Sequence, residues 1–470
     1  MERITGAMKE KIIDTDKAAK MLMNAGSIAV GGMGGQSIPK EIPSALAMNA
    51  KSKNIILYTG GGTTNTFENK MSRLEIKRRF YYLSGNTSRL PVNSGKTMMM
   101  DYFVSRYSRL MGYEMKNKID FLIFEATAIG ENGIVPSLSL DAVPALEYAA
   151  KNILIEINTN KPDLYGLHDI IPLNSRKTAD IKSVYDRPGN RYLKIKKNKI
   201  KGIIFTDKKE ESGGSYGRPP KDIDIISDKI WKILTEFIAF KNVEPLQVGA
   251  GSIATSLIDV SPYNNLKIWC EIAPSKWIEK IGDKIDKISA SALYTLPGDE
   301  KYTAKFLNSF TDYVNSLVLR PNYITNSQEI IGRLNAIVIQ QALEIDIYGS
   351  VNVSHINGNI YNGVGGSGDF ASSGKYVIVA LTSLSRDSKT SKIVPLLSNV
   401  DIPKQMVDFI VTENGIADLR WKDPRERASE IINNCASPVY RDSLMKYFTG
   451  CENKHIPYDI HLAAEWFENQ

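Results

Sequence analysis

The stretch "LQVGAGSIATSLIDV" at residues 246–260 joins a short apolar run, two closely spaced glycines and a helix-like segment. A strand that passes through a glycine turn into a helix is the repeating unit of parallel α/β sheets. Twenty residues beyond Gly251 the chain reaches Glu271, at the end of the next strand-like run in "NLKIWCEIAPS" (265–275), and Pro274 follows. The sequence therefore predicts an α/β fold with a carboxylate at the end of a strand.

The same alternation of strand-like and helix-like segments occupies most of the chain. Buried strands are predicted at "SIAVGG" (27–32), "NIILYTGGG" (54–62), "IDFLIFEATAIG" (119–130) and "KNILIEINT" (151–159). The pattern resumes after "KKEESGGSYGRPPKD" (208–222), a polar stretch rich in Gly and Pro that is typical of a linker. We therefore expect two α/β domains, residues 1–215 and 216–470.

Two helix starts are predicted from capping residues. Ser37 precedes Pro39 and Glu41, an order that predicts a helix capped by Ser37 with Pro39 in its first turn. Asp423 and Pro424 predict a second helix that begins near residue 424.

Composition excludes several function classes. The 470 residues carry a net charge of +7 from 59 basic and 52 acidic side chains, without a basic stripe interleaved with aromatics, so no nucleic-acid partner is expected. No apolar run has the length of a membrane helix, and the first residues lack a signal-peptide core, which predicts a cytoplasmic protein. Three cysteines and four histidines are too few and too scattered for a disulfide framework or a metal site.

The glycine turn at 249–254 admits more than one interpretation. Its G-x-G-x-x-A spacing, with Glu271 after the next strand, matches a dinucleotide-binding fingerprint in which Gly249 and Gly251 approach pyrophosphate and Glu271 holds a ribose hydroxyl. An NAD(P)-dependent dehydrogenase would use these residues. A tight turn with an exposed glutamate is the alternative without a ligand, because glycine turns commonly follow parallel strands.

A second glycine-rich loop, "NGVGGSGDF" (362–370), places four glycines in nine residues. Such a loop can present backbone N–H groups to a phosphate or an oxyanion, although it also fits a flexible turn. The chain has no G-x-S-x-G elbow, H-E-x-x-H pair or Walker loop, so serine-hydrolase, zinc-protease and NTPase functions lack their signatures.

A series of motifs in this order resembles the acetyl-CoA hydrolase/transferase family of class I CoA-transferases. The motifs are "GGMGGQSIPKEIPSAL" (31–46), "IDFLIFEATAIGENGIVPSLSLD" (119–141), "ILIEINTNKPDLYGLHDI" (153–170), "VGAGSIATSL" (248–257), "LRPNYITNS" (319–327), "IDIYGSVNVS" (345–354), "NGVGGSGDF" (362–370), "IVPLLS" (393–398) and "VTENGIADLR" (411–420). The resemblance implies two similar open α/β domains of the NagB/RpiA-like type, with the active site in the cleft between them.

The resemblance also assigns roles to individual residues. It makes Glu271 the catalytic nucleophile instead of a ribose ligand, although Cys270 stands where the family usually has threonine. It gives the oxyanion-stabilising N–H to Gly366, with Gly365 and Gly368 as near alternatives. The other implied contacts to CoA or to the acid are Gly249, Gly251, Asn326, Asn362, Gly363, Gly365, Gly368, Lys389 and Glu413, with Lys392 competing for the place of Lys389.

The implied activity is the movement of CoA between a short-chain acyl-CoA (acetyl-, propionyl- or succinyl-CoA) and a carboxylic acid such as acetate. It would follow a ping-pong course through a glutamyl-CoA thioester, with CoA as a substrate, no other cofactor and no metal. The family also implies a homodimer. The alternatives are an acyl-CoA hydrolase that uses the same glutamate and a non-catalytic CoA-binding relative. Cys270 and His168 are expected to be packed residues and not part of the chemistry.

Overall fold

The computed structural model describes residues 3–48, 54–173, 179–213 and 222–469. The predicted domain boundary between residues 215 and 216 lies outside this range. Among the described residues, no helix has both the length and the apolar character needed to cross a membrane.

The first large sheet lies in the N-terminal half and is almost entirely parallel. Its strands are β1 (Ser27–Val30), β2 (Ile55–Thr59), β3 (Ile76–Phe80), β4 (Met98–Met100), β5 (Ile119–Ile129), β6 (Ile134–Pro136), β7 (Ala150–Asn158) and β8 (Ile200–Thr206). They are ordered β4-β3-β2-β1-β5-β7-β8, and β6 pairs antiparallel with β5. Strands β5 and β7 are apolar along most of their length because parallel sheets are covered by helices on both faces.

The second large sheet lies in the C-terminal half. The remaining strands are β9 (Leu246–Val248), β10 (Leu266–Trp269), β11 (Ile272–Pro274), β12 (Ile285–Ala290), β13 (Ala292–Tyr294), β14 (Leu317–Leu319), β15 (Ile337–Gln341), β16 (Glu344–Asp346), β17 (Val351–Asn352), β18 (His355–Ile356), β19 (Asn359–Ile360), β20 (Tyr376–Ala380), β21 (Ile393–Val394), β22 (Phe409–Val411) and β23 (Ile416–Asp418). Eight of them form the order β14-β12-β10-β9-β15-β20-β22-β23, in which only β23 is antiparallel. Strand order reverses between β9 and β15, the position at which open α/β sheets bind ligands.

Helices cover both sheets. They are α1 (Thr15–Leu22), α2 (Glu41–Met48), α3 (Asn65–Met71), α4 (Gly85–Asn93), α5 (Val104–Glu114), α6 (Val143–Ala149), α7 (Ile223–Lys232), α8 (Ser252–Asp259), α9 (Glu300–Asn308), α10 (Phe310–Tyr313), α11 (Asn322–Thr325), α12 (Gln328–Arg333), α13 (Ser367–Ala371), α14 (Pro424–Asn434), α15 (Pro438–Gly450) and α16 (Ile460–Glu468). A π-helix, Ile233–Phe237, continues α7. Short 3-10 helices lie at Gly6–Lys11, Ser275–Lys280 and Lys404–Met406.

The two halves pack against each other through one shared core. A single buried cluster contains Tyr81 and Tyr107 from the N-terminal half together with Trp269 and Tyr323 from the C-terminal half. Backbone hydrogen bonds also join residues 138–141 to the segment around 291–293: the Leu140 N–H donates to the Ser291 carbonyl and the Leu293 N–H to the Leu138 carbonyl, both at 3.0 Å. This junction lies beside the end of β10.

The predicted α/β class is confirmed, and the four predicted strands correspond to β1, β2, β5 and β7 within two residues or fewer at most ends. The helix predicted at residue 424 is α14, with Asp423 in a capping box. The helix predicted after Ser37 is α2, but the predicted cap at Ser37 and the place of Pro39 in the first turn are wrong, because α2 begins at Glu41. Ser37 has a left-handed backbone (φ 61°), and its hydroxyl accepts the N–H of Ser139 at 2.9 Å.

Candidate active site

Glu271 lies at the carboxyl end of β10, between that strand and β11. The Cys270 N–H donates to the Ser289 carbonyl at 2.9 Å, and the Glu271 carbonyl accepts the Ser291 N–H at 2.8 Å. These backbone bonds tie Glu271 to β12 and the residue that follows it. Since residues 138–141 of the other half bond to the same segment, the glutamate lies where the two halves meet.

The Glu271 carboxylate is hydrogen-bonded by Asn326, the residue that directly follows helix α11. Asn326 donates its Nδ2 to Glu271 Oε2 at 2.8 Å. Asn326 is fully buried, and its Oδ1 accepts the Thr325 hydroxyl at 2.8 Å, which fixes the amide's orientation. One oxygen of the carboxylate therefore has a defined position.

Gly366 lies against the same two groups. A Cβ built on Gly366 would stand 2.1 Å from Glu271 Oε2 and 2.3 Å from Asn326 Nδ2. Its backbone angles (φ −93°, ψ 0°) are open to other residues, so the requirement for glycine comes from space and not from backbone strain. The glycine-rich loop, residues 362–368, therefore brings its backbone directly onto the carboxylate.

Two further carboxylates surround this group. Asp369 accepts the N–H and the hydroxyl of Ser105 at 2.9 and 2.6 Å. Asp141 accepts the Gly61 N–H and Asn322 Nδ2, both at 2.9 Å. Removal from water raises the pKa of each aspartate to about 6.

The pKa of Glu271 is raised further, to about 8. Loss of water around the carboxyl is the main cause; the Asn326 hydrogen bond lowers the value, and the charges of Asp141 and Asp369 raise it. Glu271 still keeps part of its exposure. A poorly hydrated carboxylate with a neighbouring glycine backbone is suited to nucleophilic attack on a carbonyl carbon.

The rest of the glycine-rich loop contacts the N-terminal half. Gly363 and Gly365 adopt left-handed backbones (φ 134° and 62°), which favour glycine. Asn362 accepts Arg89 Nη2 through its Oδ1 at 2.6 Å. A Cβ on Gly368 would stand 2.3 Å from the Phe103 ring. Together with Gly366, five of the predicted positions thus lie in this one loop.

The glycine turn after β9 lies at the reversal of strand order. Gly251 precedes α8, and a Cβ there would stand 1.8 Å from Gln341 Oε1 at the end of β15. A Cβ on Gly249 would meet nothing within 4 Å. The turn therefore leaves open space at Gly249 while Gln341 covers Gly251.

The two predicted lysines differ in environment. Lys389 is exposed, whereas Lys392 is partly buried with its Nζ 3.3 Å from the Thr382 hydroxyl. Burial lowers the pKa of Lys392, and the charge of Glu413 opposes this shift. The carboxylate of Glu413 accepts the N–H of Ser383 at 2.9 Å. The contacts of Glu413 are thus to Ser383 and not to the Glu271–Asn326 pair.

The acetyl-CoA hydrolase/transferase N-terminal domain family matches residues 3–205, and the corresponding C-terminal domain family matches residues 303–448. A succinyl-CoA:acetate CoA-transferase of Clostridium kluyveri is 32% identical, with 98% of this chain and 89% of that protein covered. An acetyl-CoA hydrolase of Schizosaccharomyces pombe is also 32% identical, with 98% and 94% covered. This chain belongs to the acetyl-CoA hydrolase/transferase family.

Solved structures agree with the fold of this family. RipA from Yersinia pestis has a TM-score of 0.71 at 19% identity, covering 93% of this chain and 96% of that one. A 4-hydroxybutyrate CoA-transferase from Porphyromonas gingivalis has a TM-score of 0.64 at 18% identity, with 93% and 97% covered. The protein is therefore an enzyme of a family that includes both CoA-transferases and acetyl-CoA hydrolases.

Glu271 and the glycine turn have different neighbours. The carboxyl of Glu271 contacts Asn326 and the Gly366 position, while Gly251 lies against Gln341. Cys270 is fully buried and desolvation raises the pKa of its thiol, so the sulfur stays protonated. His168 is buried and its Nε2 lies 2.8 Å from the Ser137 carbonyl oxygen, as expected for a packed histidine.

Several residues around Glu271 were not predicted from the sequence. Asp369 follows Gly368 directly, so its place in the glycine motif was an available signal. Asp141 and Asn322 carry no comparable signal because they meet across 181 positions of sequence. Within the described ranges, no group of three or more His, Cys, Asp or Glu side chains is arranged to hold a metal ion.

Proposed function

We propose that this enzyme transfers CoA between a short-chain acyl-CoA and a short carboxylic acid, with acetyl-, propionyl- or succinyl-CoA as donor and acetate as one acceptor. Glu271 is the residue that carries CoA between the two half-reactions. The observation that supports this most directly is the position of its carboxyl, bonded to buried Asn326 and pressed against a glycine that has no room for a Cβ. The names of two relatives, the C. kluyveri transferase and a propanoyl-CoA:succinate CoA transferase of Escherichia coli, support the choice of acids.

The first half-reaction forms the enzyme thioester in two displacements. The Glu271 carboxylate attacks the thioester carbonyl of the acyl-CoA, and the C–S bond breaks to give a mixed anhydride and CoA thiolate. The thiolate then attacks the glutamyl carbonyl and expels the acid as its carboxylate, which leaves CoA esterified to Glu271 through sulfur. A second acid reverses both steps, so the kinetics are ping-pong.

Each displacement places negative charge on a carbonyl oxygen. The Gly366 N–H is the candidate donor to that oxygen, since its backbone lies beside the carboxyl that reacts. Removal of one such donor typically costs about 10²–10³ in kcat. Asn326 orients the carboxyl before attack, which supplies part of the geometric advantage of a bound reactant.

The remaining predicted residues bind the substrates in this proposal. The open space at Gly249 and the reversal of strand order next to Gly251 support passage of the CoA pantetheine or phosphates there. Lys389 is exposed, where it can meet a CoA phosphate, whereas Lys392 is partly buried. Asn326 orients the acid, and Asn362, Gly363, Gly365 and Gly368 line the channel, whereas Glu413 is engaged by Ser383 through both carboxylate oxygens.

The proposal is tested by trapping the enzyme thioester. Wild type incubated with acetyl-CoA alone should release acetate and gain the mass of CoA on the peptide that contains Glu271, and hydroxylamine should discharge it. Glu271→Gln keeps an oxygen that accepts from Asn326 but has no anionic nucleophile, so it should form no adduct and transfer no CoA. Glu452→Gln, on an exposed side chain, is the matched control. Retained transfer in Glu271→Gln, or an adduct on another residue, would refute the assignment.

Hydrolysis of the acyl-CoA is the second candidate. It is supported by the name of the S. pombe relative, an acetyl-CoA hydrolase, and requires only that water reach the acyl or glutamyl intermediate. The two activities separate when CoA release from acetyl-CoA is measured with and without succinate or propionate. Acid-dependent formation of a new acyl-CoA identifies a transferase, and release of free CoA thiol at a rate that does not depend on the acid identifies a hydrolase.

Two further expectations remain predictions. If the protein is a homodimer, sedimentation equilibrium should give a mass twice the chain mass of 52.3 kDa. CoA should be required only as a substrate, so dialysis against a chelator should leave the transfer rate unchanged.

A further inference from the structure

The glycine-rich loop is fixed from outside its own sheet. We define the anchor segment as residues 101–105, which comprise the connection from β4 to α5 and the first two residues of α5 in the N-terminal half. Asp101 accepts the Val364 N–H through both carboxylate oxygens, each at 3.1 Å. The Val104 N–H donates to the Gly365 carbonyl at 3.3 Å. The anchor segment thus holds the two residues that come immediately before Gly366.

The same segment also holds the chain just after Gly366. Ser105 donates its N–H and its hydroxyl to Asp369, which directly follows Gly368 at the end of the loop. Gly366 therefore lies between two attachment points that both come from the other half of the molecule. Asp101 and Ser105 make these attachments with side-chain atoms.

The loop needs such an attachment because of its composition. Gly363 and Gly365 hold left-handed backbones, and glycine loses more conformational freedom on ordering than any other residue. Asp101 also lies close to the loop backbone, since a Cβ on Gly363 would stand 3.0 Å from its Oδ1. Without the carboxylate, the Val364 N–H would lose its acceptor and the loop its first attachment.

We propose that Asp101 is a positioning residue for the CoA-transfer reaction: through the Val364 N–H it holds the glycine-rich loop so that Gly366 meets the reacting carbonyl. This inference rests on the proposed function of Glu271 and Gly366. The hydrogen bonds of Asp101 go to the Val364 N–H and not to Glu271 or Gly366, so its loss should slow the chemical steps more than it weakens CoA binding. The ionised carboxylate accepts the N–H more strongly than the neutral acid does.

The charged and titratable groups around Asp101 set the pH range of this effect. Burial raises the pKa of Asp101 to about 6; the N–H groups of Val364 and Tyr102 lower it, Asp401 raises it, and His355 of strand β18 lowers it. On the α4 side, Arg89 engages Asn362 of the loop. The anchor should therefore weaken as the pH falls below about 6.

The test compares wild type with Asp101→Asn, which resembles the protonated side chain in shape and charge. At about pH 8, kcat for CoA transfer should fall about tenfold to a hundredfold, because small misplacements of a catalytic group cost up to this much, while KM for acyl-CoA changes little. The ratio of the wild-type kcat to the kcat of the Asp101→Asn enzyme should shrink toward one below about pH 6. This ratio cancels the titration of Glu271, Asp141 and Asp369, which both proteins share.

Matched variants separate positioning from general damage. Asp459→Asn replaces another aspartate that accepts two backbone N–H groups, at the start of α16, and should leave kcat and its pH dependence unchanged. Asp101→Glu keeps the charge and should keep a pH-dependent part of the rate. Thermal melting and CoA-thioester formation on Glu271 are measured for each variant. A folded Asp101→Asn enzyme with unchanged kcat, or with a loss that is the same at every pH, overturns the proposal; absence of any Glu271 thioester in wild type overturns the proposed function instead.

Discussion

Replacement of Gly366 by alanine should disable the enzyme without unfolding it. The new Cβ would stand 2.1 Å from Glu271 Oε2, whereas ordinary contacts begin near 3.4 Å, so the carboxylate must retreat by about 1.3 Å. The same methyl would stand 2.3 Å from Asn326 Nδ2, so the bond of 2.8 Å between the two side chains has to break. A displacement of about 1 Å costs about 10²-fold in rate, and the φ of −93° adds no strain for alanine. We expect kcat near one hundredth of wild type with an unchanged circular dichroism spectrum.

The assay measures acetate-dependent transfer of CoA at saturating substrates, with Gly130→Ala as control. Gly130 lies in the exposed turn after β5, and a Cβ there meets only the Gly133 carbonyl at 4.0 Å, so its variant should keep the wild-type rate. Adding Asn326→Ala to Gly366→Ala should cost little more than the first change alone, because both break the same hydrogen bond. A Gly366→Ala enzyme within twofold of wild type would refute the argument from space.

Three other predictions follow from the charges and hydroxyl groups. Because the folded-state pKa of Glu271 is about 8, above its ordinary value, its contribution to stability is present at low pH and lost as the pH rises through 8. Over the same range kcat/KM should rise, and the Tm of Glu271→Gln should gain on the Tm of wild type between about pH 5 and pH 9. An equal Tm difference at both pH values would contradict the raised pKa. Lys389→Ala should raise KM for acyl-CoA about two- to fivefold with kcat unchanged, as expected for one exposed charge contact. The control Lys454→Ala should leave KM unchanged, and a fall in kcat alone in Lys389→Ala would count against phosphate binding. In urea unfolding, Tyr348→Phe should lower the free energy of unfolding by about 1 kcal/mol, because the Tyr348 hydroxyl donates to the Pro457 carbonyl. Tyr81→Phe should not lower it, because the buried Tyr81 hydroxyl has no hydrogen-bond partner among the described residues. Equal losses in the two variants would contradict this reasoning.

The sequence predicted what depends on local pattern. The apolar runs that became β5 and β7 were visible, and so was the order of strand, glycine turn and carboxylate that located Glu271. Gly366 and Asn326 were predicted beside that carboxylate through the family resemblance, but the contact between Ser105 and Asp369 was not predictable from local pattern, because the two residues meet across 264 positions. The prediction of where α2 begins was wrong for the same reason. The first N–H groups of α2 donate to Glu156, more than a hundred residues away in sequence, and not to a neighbouring capping side chain.

The attachment of the loop at 362–368 to residues 101–105 has a consequence for how such enzymes diverge. A chimera that joins the first half of this protein to the second half of a relative would inherit a loop and an anchor that had never been selected together. Such a chimera should fold but transfer CoA slowly. Replacing its five anchor residues by those of the relative that supplied the loop should restore kcat. Substitutions in these two short stretches are therefore expected to be inherited as a pair.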